Sequence, residues 1–178
     1  MRGLGHATAS SQFTCWKRQR APSLPVGNWA PYRPGPHGSL VVSVLDVAFL
    51  AGRIILGLFF LSNAYGHLGK LKMMSGYAAS KGVPMPTVAV AGTGLLLVIG
   101  GAGILLGTYP RVALLALVLF FLGVAPMMHN FWTLTDPMAK QMDMVMFLKD
   151  VALMGACLAL LAMPEPWPLS LGPESGFP

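Results

Sequence analysis

Four apolar stretches of membrane-spanning length, a charged fraction of only 10% against 54% hydrophobic residues, and polar, proline-rich ends predict an all-α protein. The expected form is a four-transmembrane-helix bundle with unstructured or extended amino- and carboxy-terminal tails. A soluble core within 178 residues would need a far more polar shell, and the mean hydropathy of +0.63 points to lipid as the solvent. A water-soluble globular enzyme is thereby excluded. Twelve Lys and Arg against six Asp and Glu leave a net charge of +6. In a membrane protein such an excess reports loop topology and lipid headgroups, so the expected partners are the bilayer and other membrane-protein subunits, and no nucleic acid.

In chain order, residues 1–40 form a Pro/Gly-rich basic tail with Lys17, Arg18 and Arg20 and no apolar run long enough for a signal-peptide core. The membrane domain, 41–163, holds apolar runs at 41–62, 87–107, 112–128 and 144–163, each close to the roughly 20 residues a helix needs to cross hydrocarbon. Tyr109, Pro110 and Arg111 make a tight link, so the second and third spans are expected to be antiparallel neighbours. The other connections, 63–86 and 129–143, are longer. Residues 164–178 are proline-rich, cannot continue a helix, and form a second tail suited to lying on a partner.

Orientation is set by basic residues in short loops. Lys70, Lys72, Lys81 and Lys140 fall on one face, Arg111 and the basic front tail on the other. Translocating that tail without a signal peptide is the less favourable event, so both termini are expected to be cytoplasmic.

Polar residues inside apolar runs mark what lipid cannot face. Asp46, Arg53, Asn63, His67 and Lys70 lie within an arc of about 120° on the first helix, and a bare charge in hydrocarbon costs on the order of 3 kcal/mol. The stripe is therefore expected to face the bundle interior. The fourth span carries Lys149 and Asp150, and a rise of ~1.5 Å per residue puts Asp150 at a depth similar to Arg53. A structural ion pair between Arg53 and Asp150 is expected on that arithmetic, fixing helix register or bordering a ligand site. Asp46, near its helix start, is expected to reach headgroups.

The first and third spans run in the same direction, so His67 and His129 emerge at one membrane face with Asn130 and Trp132. Imidazoles manage protons near neutral pH, and Phe59, Phe60, Phe131 and Trp132 offer faces for a flat apolar ligand such as a quinone. The competing reading is an interfacial aromatic belt with headgroup-facing histidines. Haem ligation is disfavoured because both histidines lie at helix ends, and methionines such as Met127, Met128 and Met142 are read as apolar filler rather than copper ligands. Cys15 and Cys157 are poorly placed to bridge, and no metal site is expected. Gly100, Gly101, Gly103 and Gly107 give the second span a small face for close packing within the bundle or between subunits.

The run GRIILGLFFLSNAYGHLGKL at 52–71 followed by YAASKGVPMP at 77–86 resembles the DoxX family of small four-helix membrane proteins. The passage GGAGILLGTYPRVALLAL at 100–117, HNFW at 129–132 and FLKDVALMGACLAL at 147–160 extend the resemblance in order and spacing. It implies functional weight at Arg53, Lys70, His129, Trp132 and Lys149, a bacterial inner-membrane location, and a relation to the membrane subunit of thiosulfate:quinone oxidoreductase. Departures stand at Asp150, where the family has a Lys-Asn pair, at Asn63, and in the front tail.

Together these readings suggest a redox-linked membrane subunit that binds quinone or lipid and acts with a partner, in a thiosulfate- or thiol-dependent quinone reduction. His129 and His67 would manage protons, Arg53, Lys70, Lys149 and Asn63 would bind, Trp132 would stack, and electrons would come from elsewhere, since the side chains supply no electron carrier. The alternatives are a non-catalytic accessory subunit of a larger respiratory or photosynthetic complex, and transport, for which no inverted repeat is seen.

Overall fold

The structure, a computed structural model, describes residues 42–171. It contains α1 (Val44–Gly69), α2 (Leu71–Ser80), α3 (Pro86–Leu106), α4 (Pro110–Met128), a 3-10 turn (Phe131–Thr133) and α5 (Pro137–Leu161). Four stretches, Val44–Gly69, Pro86–Leu106, Pro110–Thr133 and Pro137–Leu161, are long and apolar enough to cross a membrane. The expected four-helix membrane architecture is what forms.

Local chemistry explains the helix starts. Ser43 and Asp46 build a reciprocal capping box on α1: the Ser43 backbone N–H donates to Asp46 Oδ2 at 2.8 Å, and the Asp46 N–H donates to Ser43 Oγ at 3.1 Å. Asp46 thus spends one oxygen on its own helix rather than reaching for headgroups. Asp136 caps α5 by accepting from the Ala139 N–H at 2.7 Å, with Pro137 at the first helical position. Helix α5 accordingly begins seven residues before the apolar run at 144, and the connection 63–86 contains the short helix α2.

Between α3 and α4 the chain reverses in three residues. Gly107, at φ +72°, supplies the left-handed conformation that ends α3, and Tyr109 takes a left-handed backbone before Pro110 opens α4. The expected antiparallel neighbours follow.

Packing runs in the order α1, α3, α4, α5, with α2 laid against α3 and α1. Small residues set the closest approach. A Cβ on Gly57 of α1 would sit 2.7 Å from the Leu105 Cβ and 3.0 Å from the Gly101 carbonyl oxygen, so the two backbones meet there without side chains between them. Gly100 and Gly103 make room for α4 side chains, Leu117 and Ala113 respectively. The glycine face of α3 is used inside the bundle. Phe60, Leu97, Ile104, Leu114 and Leu117 form the most deeply buried core.

The carboxy-terminal residues 164–171 lie on the bundle of their own chain, where a partner was expected. Trp167 is 3% exposed, meets Phe49 edge-on at 5.2 Å, and lies 5.7 Å from the Arg53 guanidinium carbon. The Leu171 N–H donates to the Leu106 carbonyl oxygen at 2.9 Å, and Arg111 pairs with Glu165 at 3.1 Å. The front tail, with Cys15 and its basic cluster, lies outside the described residues.

Candidate functional site

The α1 stripe read from the sequence divides between two ends of the bundle. Asp46, Arg53, Gly57, Phe60 and Ala64 are the buried positions of α1, spaced by sevens, fours and threes as one helical face requires. Arg53 belongs to the end where the α3–α4 turn lies. Its Nε donates to the Ile104 carbonyl at 2.9 Å, Nη2 to Leu105 at 3.1 Å and Nη1 to Pro168 at 2.7 Å. Three carbonyls, two of them in the last turn of α3 where the helix dipole is negative, satisfy a charge that is 3% exposed.

The expected Arg53–Asp150 pair does not form. Arg53 is held at the α3–α4 end by Ile104 and Leu105 while Asp150 lies beside His129 at the other end, because α1 runs on to Gly69, and α1 and α5 sit at opposite ends of the packing order, separated by α3 and α4. Asp150 instead faces His129 and Lys149.

At the other end, where α1 finishes and α5 begins, a cavity of about 310 Å³ opens among all five helices. Its walls are mostly apolar, with Phe59, Phe60, Phe120 and Phe121 among them, and its polar groups are few: Asn63, His67, Tyr77, Thr93, His129, Lys149 and Asp150. His67 and His129, expected at one face, line this same cavity. The Thr93 hydroxyl donates to the Ala89 carbonyl at 2.8 Å, so its oxygen is available to accept from His67 Nδ1 at 3.1 Å, which orients that ring.

His129, at the end of α4, stands between two carboxylates. Its Nδ1 lies 3.5 Å from Asp143 Oδ1 and its Nε2 lies 3.7 Å from Asp150 Oδ2. Each carboxylate has its own ammonium: Lys81 Nζ is 2.9 Å from Asp143 Oδ2, and Lys149 Nζ is 3.6 Å from Asp150 Oδ1. His129 Nδ1 is buried and makes no hydrogen bond. Asp143 and Lys81 escaped the sequence reading. The available signal was the seven-residue interval between Asp143 and Asp150, which places both on one face of α5 once Asp136 is recognised as its cap.

Not every expected site residue meets here. Asn63 lines the cavity, though its Nδ2 donates within its own helix to the Phe59 carbonyl at 2.8 Å. Lys70 is exposed at the end of α1 and does not line the cavity. Trp132 is 53% exposed and stacks edge-on with Phe131 at 5.2 Å and Phe147 at 5.9 Å, an aromatic cluster beside the cavity rather than within it. Cys157 is buried in the core. Among the described residues no group of three or more His, Cys, Asp or Glu is placed to hold a metal ion.

Comparison with known proteins bears on this arrangement. The family model described as DoxX matches residues 48–130. Inner membrane protein YphA of Escherichia coli (strain K12) is 31% identical over 125 residues, which covers 70% of this chain and 88% of the relative. No solved structure matches. The family match includes Arg53, His67 and His129 and ends before Asp143, Lys149 and Asp150.

Proposed function

The chain belongs to the DoxX family of membrane proteins, and we propose that it is a redox-linked subunit whose cavity takes the head of a quinone-class amphiphile. The observation that carries this reading is the cavity itself, about 310 Å³ of mostly apolar and aromatic wall on which a handful of polar groups converge. That is the composition of a site for a flat apolar molecule with polar ends. The polar groups suit a quinone head: Lys149 and His129 line the cavity and can donate N–H groups to carbonyl oxygens, and His67, with Nδ1 held by Thr93, leaves Nε2 as an acceptor.

Each residue then has a defined task. Phe59, Phe60, Phe120 and Phe121 exclude water and offer ring faces and edges. His129 holds a proton at a ring nitrogen, and Lys149 supplies a positive charge against a developing oxyanion. A bound quinone would contribute reversible electron and proton acceptance at its carbonyls. Electrons come from a partner subunit that oxidises thiosulfate or a thiol, because these side chains have no electron carrier. Both termini lie in the cytoplasm, which leaves the cavity end, with Lys70, Lys72 and Lys81, at the opposite surface of a bacterial inner membrane.

The test is equilibrium binding of decylubiquinone to the purified full chain in lipid nanodiscs. Saturable binding of one molecule per chain, weakened roughly ten-fold or more by His129→Gln, supports the reading, since a lost charge-assisted hydrogen bond is worth about 1.5–3 kcal/mol. Uptake that only follows lipid volume, equal in both proteins, overturns it.

A further inference from the structure

The cavity has a second property that depends on no particular occupant. Of the residues around His129, Asp150 lines the cavity and is 5% exposed, while Asp143 does not line it and stands two turns nearer the start of α5. Seven residues of helix separate the two carboxylates by about 10 Å along the axis. His129 stands between them, one ring nitrogen toward each, at 3.5 Å and 3.7 Å. Both gaps are within about 1 Å of hydrogen-bond length.

From this geometry we infer that Asp143, His129 and Asp150 form a proton route joining the membrane face that carries α2 to the interior of the cavity.

The charges around the route fit that task. Lys81, on the connection between α2 and α3, offsets Asp143, and Lys149 offsets Asp150. With each carboxylate matched by a lysine, a proton passing along the route changes the charge of Asp143, His129 and Asp150 in turn. His67 and Tyr77, from α1 and α2, are the remaining titratable groups on the cavity wall. The step balances: a proton arrives at Nδ1 from the Asp143 side, the proton on Nε2 leaves toward Asp150, and reversal of the same transfers or rotation of the ring resets the imidazole. Neither lysine gains or loses a proton. A contact built only to fix helix register needs one carboxylate on His129, whereas here each ring nitrogen faces its own.

Infrared spectroscopy of the full chain in lipid nanodiscs tests the route with no ligand added, so its outcome is separate from that of quinone binding. The carboxylic C=O band that Asp150→Asn removes is followed after a rapid acid jump. In the wild-type chain this band is expected to rise quickly, and in His129→Gln and in Asp143→Asn roughly ten-fold or more slowly, the lower end of what a positioned proton carrier contributes. Glutamine keeps the approximate size and polarity of the imidazole, and unchanged thermal unfolding establishes that each variant is folded. Rates equal to wild type in both folded variants overturn the proposal. So does the absence of any Asp150 band from the acid to the neutral range, because a carboxylate that never takes a proton delivers none.

Discussion

The guanidinium of Arg53 donates to the carbonyl oxygen of Pro168 at 2.7 Å, across 115 residues of sequence. One side chain thereby ties the first membrane helix to the end of the described chain, and through Ile104 and Leu105 it also closes the last turn of α3. Lysine keeps the charge but cannot present three donors in a planar fork. Arg53→Lys is therefore expected to cost about 2–4 kcal/mol, and Trp167→Ala about 3–5 kcal/mol, in unfolding measured in detergent. A truncation after Met163 removes Trp167 and one of the three Arg53 acceptors and should cost at least as much as Trp167→Ala, and a truncation without effect would show that the segment contributes nothing.

The crossing of α1 and α3 makes a second, sharper expectation. Gly57→Ala forces a methyl against Leu105 and the Gly101 carbonyl, and overpacking of this kind costs about 1–3 kcal/mol. Gly52 and Gly155 face open space, and alanine at either should be neutral or stabilising by up to about 1 kcal/mol. Thermal unfolding of the three single variants checks the contrast directly.

These two expectations show where the sequence was informative. The four spans are legible because hydropathy and length answer to the same lipid thickness, and the start of α4 because Tyr109 and Pro110 permit little else. The extra turns of α5 were hidden, since Lys140, Gln141 and Asp143 are polar and read as loop although the helix continues beyond hydrocarbon. Arg53 and Asp150 teach a different lesson: rise per residue gives depth only once both helix ends are known, and which helix lies beside which is decided by glycine-mediated contacts such as Gly57 with Gly101. His67 and His129 could be brought to one cavity by chain direction alone. Lys81 could not, because its partner Asp143 lies on a separate element with no shared period, and Asp143 was hidden with the first turns of α5.

Filling the cavity should separate binding from folding. A Cβ on Gly123 meets nothing within 4 Å, and that residue lines the cavity. Gly123→Leu is expected to hold or raise stability by up to about 1 kcal/mol while abolishing saturable decylubiquinone uptake. Thermal unfolding and equilibrium binding on the same preparation check both halves of the statement.

Sidedness is open to chemical labelling. In a chain with Cys15→Ser, Lys72→Cys beside the cavity end and Arg111→Cys at the α3–α4 turn should react with a membrane-impermeant maleimide from opposite surfaces, Lys72→Cys from the periplasmic one. Labelling of both from a single surface would contradict the bundle, and labelling with the sides exchanged would invert the orientation.

The most direct measurement of the central claim is photoaffinity labelling of the full chain in nanodiscs with a quinone bearing a photoreactive group, followed by mass-spectrometric mapping. The cavity account predicts modification within 120–129 and 149–153, lost on Gly123→Leu and competed by decylubiquinone. Label confined to outward residues such as Ile55 and Leu115, which are 69% and 56% exposed, and unchanged in Gly123→Leu, would contradict it.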